Sequence, residues 1–221
     1  MIQIPSFSET NHPLILALNH YSDSDLLTFC QRYSDQGKYF TGIFCRYAPL
    51  VYTLVGHGGR SPVQTDYLFA LTWRQIFHEM RTLDLEAQGF QSLQQWLLEV
   101  ATAYQNQFEI PPVASINYDI KRTTPPLWCY LEQALDLVPP LPRLIVVLAD
   151  HFHWSSTRIS AHLQAEREYL TVEDVEDWLN QGRQLVLEEL PTDIRTIYFP
   201  ESLPQLNNEG DRLTDSASNA N

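Results

Sequence analysis

Apolar residues recur along this chain at three- and four-residue intervals, and strand-like alternation of any length is absent. Ser22 or Asp23 can cap a first clear helix that carries Leu26, Leu27, Phe29, Cys30 and Tyr33. A second follows Gly37, with Phe40, Ile43, Phe44, Tyr47, Leu50, Val51 and Leu54 on its stripe. His57-Gly-Gly-Arg60 reads as a turn. Ser61-Pro62 then supplies an N-cap serine and a proline at the first helical position, opening a helix that runs to about Arg81. Residues 83–91 connect it to a helix opened by Ser92 and striped by Leu93, Trp96, Leu97, Val100, Ala101 and Tyr104. Further helices are expected over 127–137, 142–151, 155–163 and 171–190. Thr171 with Asp174 three residues on resembles a capping box, with Asp in place of the usual Glu.

These elements predict an all-α chain in two helical domains. Residues 1–21 read as a loosely structured lead-in, interrupted by Pro5 and Pro13. The first domain spans 22–108. Residues 109–126 hold four prolines and little periodicity, which predicts a flexible linker. The second domain spans 127–198, and the tail over 199–221, rich in Asn, Ser, Asp and Glu, is expected to be disordered.

Composition narrows the function classes. The 221 residues are 44% hydrophobic and 19% charged, as in a globular protein. No run approaches the ~20 apolar residues that span a bilayer. Met1-Ile-Gln-Ile-Pro-Ser lacks a basic region followed by an apolar stretch, so no signal peptide is expected and the cytoplasm is the default location. Cys30, Cys45 and Cys129 are odd in number and show no CxxC spacing, which favours packed, reduced thiols over a disulfide framework or a zinc site. His151 and His153 flank Phe152 without an evident third ligand, so neither a metal nor any other cofactor is expected. His57-Gly-Gly is too short for a phosphate loop, and no nucleophile motif, carboxylate pair or Walker pattern occurs, so an enzyme is not expected. The net charge of −13, with Lys38 and Lys121 the only lysines, excludes nucleic-acid binding by bulk electrostatics.

Several segments, in order, resemble the sigma-70 family of bacterial RNA polymerase initiation factors in its small extracytoplasmic-function form. Phe40 to Val55 is similar to the family's opening helix. Asp66-Tyr-Leu-Phe-Ala-Leu-Thr-Trp-Arg-Gln-Ile-Phe77 resembles its clamp-binding helix, although Ala70 and Leu71 stand where Gln-Glu is usual. Ser92-Leu-Gln-Gln-Trp-Leu-Leu-Glu-Val-Ala101 resembles the helix that faces −10 DNA. Leu141 through Leu163 resembles the first part of the family's helix-turn-helix, with Ile145 to Leu148, Trp154, Ser155, Ile159 and Leu163 at core and cap positions. The resemblance implies a region 2-like bundle and a region 4-like helix-turn-helix. It implies RNA polymerase core as partner, promoter DNA contacted through the holoenzyme, and an anti-sigma or other protein regulator. Carried onto this chain, polymerase binding falls on Asp66, Leu68, Phe69, Trp73, Arg74 and Phe77. Contact with −10-like DNA falls on Gln94, Gln95, Trp96, Thr102 and Tyr104, and the helix-turn-helix set is Ser155, Arg158, Val175, Glu176, Asp177, Trp178 and Arg183.

The charge of the second helix of that motif conflicts with the resemblance. Across 166–190 stand two basic residues, Arg167 and Arg183, and eight acidic ones. Glu176, Asp177 and Trp178 occupy places where the family has Lys, Ser and Arg, and about five extra residues precede the helix. A groove-binding helix needs cations to displace the counterions of phosphate. Glu173 and Asp174 suit the positive end of a helix, whereas Glu176 and Asp177 lie beyond it. Either they form a solvated face or they offer an acidic surface to a basic protein. Two functions follow: an initiation factor that reads promoters mainly through its first domain, or a sigma-derived adaptor that has lost DNA binding and docks proteins on its acidic second domain.

Overall fold

A computed structural model describes residues 4–57 and 60–200. Ten α-helices form among them and no strand does: α1 (Pro13–Leu16), α2 (Asp23–Arg32), α3 (Lys38–Gly56), α4 (Pro62–Met80), α5 (Leu93–Gln107), α6 (Pro125–Leu137), α7 (Pro140–Val146), α8 (Ser156–Ala165), α9 (Val172–Glu189) and α10 (Thr192–Tyr198). The starts are set by local chemistry. Ser22 and Ser61 each close a capping box, with Asp25 and Gln64, and Ser92 accepts from the Gln95 amide. The all-α expectation is met. The expected tail and the glycines of the 57–60 turn lie outside the described residues, apart from Phe199 and Pro200 of the former and His57 and Arg60 of the latter.

Helix α4 is the axis of the fold. It packs against α3, α5 and α6, and every residue from Leu68 to Trp73 is buried. Aromatic rings fill the space around it. Phe44 meets Trp73 edge-on at 5.0 Å, Phe40 meets Phe77 at 4.7 Å, and Phe77 meets Tyr130 of α6 at 5.2 Å. Edge-to-face pairs of this kind add about 0.5–1.5 kcal/mol each beyond their area.

That core does not stop at the boundary the sequence suggests. Leu127, Tyr130 and Ala134 of α6, Val186 of α9, Leu190 just beyond α9, and Ile194 of α10 belong to the same apolar cluster as Phe40 and Trp73. Pro191 breaks the helix that the periodicity extends through 190, and α10 turns back onto the start of α3. There the Asp193 carboxylate accepts from the Gly37 amide at 3.1 Å and the Lys38 amide at 2.9 Å. A residue from the far end of the chain thus caps α3. The approach requires glycine: a Cβ at Gly37 would lie 2.3 Å from Ile194 Cγ1 and 2.8 Å from Tyr130 Cζ.

The lead-in and linker are also held, which corrects the reading of both as loose. Phe7, Ile15 and Leu18 are buried, with Phe7 4.8 Å from Phe44, and Glu9 accepts from the Tyr198 hydroxyl at 3.0 Å. Residues 109–124 contain only one short 3-10 turn (Val113–Ser115), as the prolines predict. Yet Ile120 is buried in the core, and Tyr118 stacks on Trp128 at 5.1 Å. Two hydrophobic side chains are enough to tie an otherwise irregular segment down.

A second, small cluster holds the helix-turn-helix: Ile145, Leu148, Ile159, Leu163 and Val175, with Trp154 and Trp178 against it. After α7 the helix widens into a π-turn over Val147–His151, and the Phe152 amide bonds the Val147 carbonyl. Helix α9 lies close on α7 because Gly182 has no side chain; a Cβ there would be 2.7 Å from Val146 Cγ2 and 3.0 Å from the Pro142 carbonyl oxygen.

Candidate functional site

The helix-turn-helix is formed by α8, a turn over 166–171 and α9. Ser155 caps α8, accepting from the Arg158 amide at 3.3 Å. The end of α8 closes with the Glu168 amide on the Leu163 carbonyl and the Arg167 amide on the Gln164 carbonyl. That is a Schellman closure, with Arg167 in the left-handed region at φ 70° where glycine is usual. Ser160 Oγ and Gln164 Nε2 both donate to the Leu170 carbonyl and fix the longer turn against α8. Thr171 and Asp174 form a full capping box at the start of α9. The hydrogen bonds from the Thr171 amide and hydroxyl hold the Asp174 carboxyl below the ordinary 3.8.

The expected motif residues divide by face. Val175 is fully buried and Trp178 half-buried against the small cluster. Glu173, Glu176, Asp177, Glu188 and Glu189 are exposed. Two of the basic residues, Arg158 and Arg183, are committed elsewhere. Arg183 donates to both oxygens of Asp150, at 3.1 and 2.5 Å. The Arg158 guanidinium sits over the Trp154 ring, 3.9 Å from its centroid. The outward face of α9 is therefore more acidic than its composition alone conveys. The Asp150 partner had no local signal in the sequence; it reaches α9 only because the π-turn follows α7.

Of the residues carried over for polymerase binding, the four apolar ones are not on the surface, and Asp66 and Arg74 are only partly exposed. Leu68, Phe69 and Trp73 are completely buried and Phe77 nearly so. Arg74 donates to Glu132 of α6 at 2.7 Å, and Asp66 accepts from the Tyr52 hydroxyl at 2.6 Å. The reason is that α4 is enclosed by α3, α5 and α6, so these four apolar residues have no free side.

The set expected on −10-like DNA is split as well. Trp96 is in the core at 2% exposure, so it cannot stack on a base. Tyr104 stacks on Phe108, with centroids 5.5 Å apart. Gln94, Gln95 and Thr102 are exposed. Gln95 is engaged with the Gln91 amide and Glu99, and the Thr102 hydroxyl donates to the Leu98 carbonyl. No Lys or Arg stands between 92 and 108, so α5 has no partner for a phosphate. At the histidine pair, Asn117 Nδ2 lies 3.1 Å from both the His151 carbonyl and His153 Nε2.

No protein-family model matches the chain, and no curated protein or solved structure is significantly similar to it. The sigma-70 resemblance therefore rests on the quoted residues alone, and the functional argument rests on geometry. Among the described residues no helix is long and apolar enough to cross a membrane.

Proposed function

We propose that this chain is a non-enzymatic adaptor that docks a basic protein surface on the acidic face of α9. One observation carries the reading: Glu173, Glu176, Asp177 and Glu188 face outward while the arginine among them is bound by Asp150. Such a face repels a phosphate backbone and attracts lysine- and arginine-rich protein. The sigma-like order of segments names RNA polymerase core as the first partner to test. Burial of Leu68, Phe69, Trp73 and Phe77 argues against docking through α4. The second reading, an initiation factor, draws on the exposed polar row of Gln94, Gln95 and Thr102 on α5.

The test is association of the full chain with RNA polymerase core, for wild type and for Glu176→Lys/Asp177→Lys. The adaptor reading expects salt-sensitive binding that the double reversal removes, and no preference of the complex for promoter over random DNA. Binding that survives the reversal, or no binding at all, defeats docking of polymerase on α9. Promoter selectivity in the complex would instead establish the initiation factor.

A further inference from the structure

A cleft of about 880 Å³ opens beside the start of α4, where it reaches Asp66 of the segment carried over for polymerase binding. Three distant segments wall it: Ile4 to Ser6 of the lead-in, Tyr52 and Gly56 at the end of α3 with Arg60 to Asp66 at the start of α4, and Ile120-Lys121 of the proline-rich connection. Its size is that of a small-molecule site.

Its polar lining is asymmetric. Arg60 and Lys121 supply two cations, and among the described residues neither has a carboxylate within ion-pairing distance. The Arg60 guanidinium donates to the Val55 carbonyl at 3.3 Å, and among the described residues no side chain takes its other donors. Pro62, the first residue of the 19-residue α4, also lines the cleft, so the positive end of that helix dipole adds to the two cations. Asp66 stands one helical turn further in. It takes the Tyr52 hydroxyl on Oδ1 at 2.6 Å, which leaves Oδ2 to accept from a ligand. Ile4, Pro5 and Ile120 give apolar walls. In a chain of net charge −13, two cations that line one concave site without an ion pair among the described residues are the reverse of the overall trend.

We propose that this cleft binds a phosphomonoester of nucleotide size. Arg60 and Lys121 hold the phosphate, and Asp66 accepts from a hydroxyl or amino group on the body of the ligand. The proposal is independent of the α9 reading and uses none of its residues.

The probes are the four common 5′-nucleoside monophosphates, with adenosine and inorganic phosphate as the separate halves. Calorimetric titration of the full chain is expected to show saturable binding of at least one monophosphate, about tenfold or more tighter than its nucleoside. Arg60→Gln/Lys121→Gln is expected to weaken it about tenfold or more, while the unliganded Tm stays near wild type. If that pair of changes unfolds the chain, Lys121→Gln alone, at a solvent-exposed position, is expected to weaken binding about threefold or more. Absence of saturable binding by all four monophosphates overturns the proposal. So does nucleoside binding as tight as the monophosphate, or affinity that the cation substitutions leave unchanged. Binding of inorganic phosphate as tight as the monophosphate would show an anion site only and overturn the assignment of Asp66.

Discussion

Replacing Asp193 with alanine removes the contact that ties the last helix to the start of α3. Both carboxylate oxygens are in use, on the Gly37 amide at 3.1 Å and the Lys38 amide at 2.9 Å. Gly37 is buried beneath Ile194 and Tyr130, so its amide cannot recover a water partner without the helices separating. An unsatisfied buried amide costs about 1–3 kcal/mol. The Lys38 amide is half-buried, and its loss is that of an ordinary N-cap, about 1 kcal/mol. Together they predict a loss of about 2–4 kcal/mol. For a domain of this size each kcal/mol moves Tm by about 2–4 °C, so Asp193→Ala should melt about 4–16 °C lower. Asp193→Asn keeps one acceptor oxygen and should lose roughly half as much. The assay is urea unfolding followed by tryptophan fluorescence, with Asp177→Ala on the exposed face of α9 as a control expected within about 0.5 kcal/mol of wild type. A loss from Asp193→Ala as small as the control's would mean that α10 does not rest on α3 and that the two halves do not share a core.

Four further outcomes are expected. Phe69→Ala, which empties a site among Phe7, Phe44, Tyr52 and Trp73, should cost about 3–5 kcal/mol in urea unfolding, so any partner-binding defect it produces should track unfolding. Arg167→Gly relieves a left-handed backbone at φ 70° and should stabilise by about 0.5–1 kcal/mol, measured the same way; destabilisation would contradict the Schellman geometry. Because hydrogen bonds from Thr171 depress the Asp174 carboxyl in the folded state, the cap is fully present above the ordinary 3.8 and is lost as pH falls through the lower folded value; amide exchange at the first turn of α9 should rise there in wild type and become independent of pH in Asp174→Asn. Burial pushes the Cys30 thiol up to about 11 and Cys45 to about 12, and raises Cys129 as well, so none should react with a thiol reagent at neutral pH until the chain unfolds.

The starts and stops of most helices were legible because their causes are local. Ser22, Ser61-Pro62, Ser92, Ser155 and Thr171 act on amides two or three residues away, and the proline pairs at 111–112 and 125–126 bar a helix across the connection. The acidic character of α9 was legible for the same reason, since charge is read directly from composition. Which side of each stripe meets water was not. Periodicity says that Leu68, Phe69, Trp73 and Phe77 belong to a helix, but whether Phe69 faces a partner or Phe44 depends on how many helices surround α4, and those come from residues far along the chain. The four apolar residues of the sigma-like clamp segment therefore lie inside the bundle, while Asp66 and Arg74 stay partly exposed. The sequence alone determined an all-α chain, most of its helix starts and the acidic character of α9, because hydrogen bonds within a helix and formal charge depend on near neighbours. Only tertiary structure decided that Asp193 caps α3, that Arg183 is spent on Asp150 and that Arg60 and Lys121 meet at one cleft, because each joins residues whose separation in sequence leaves no periodic trace.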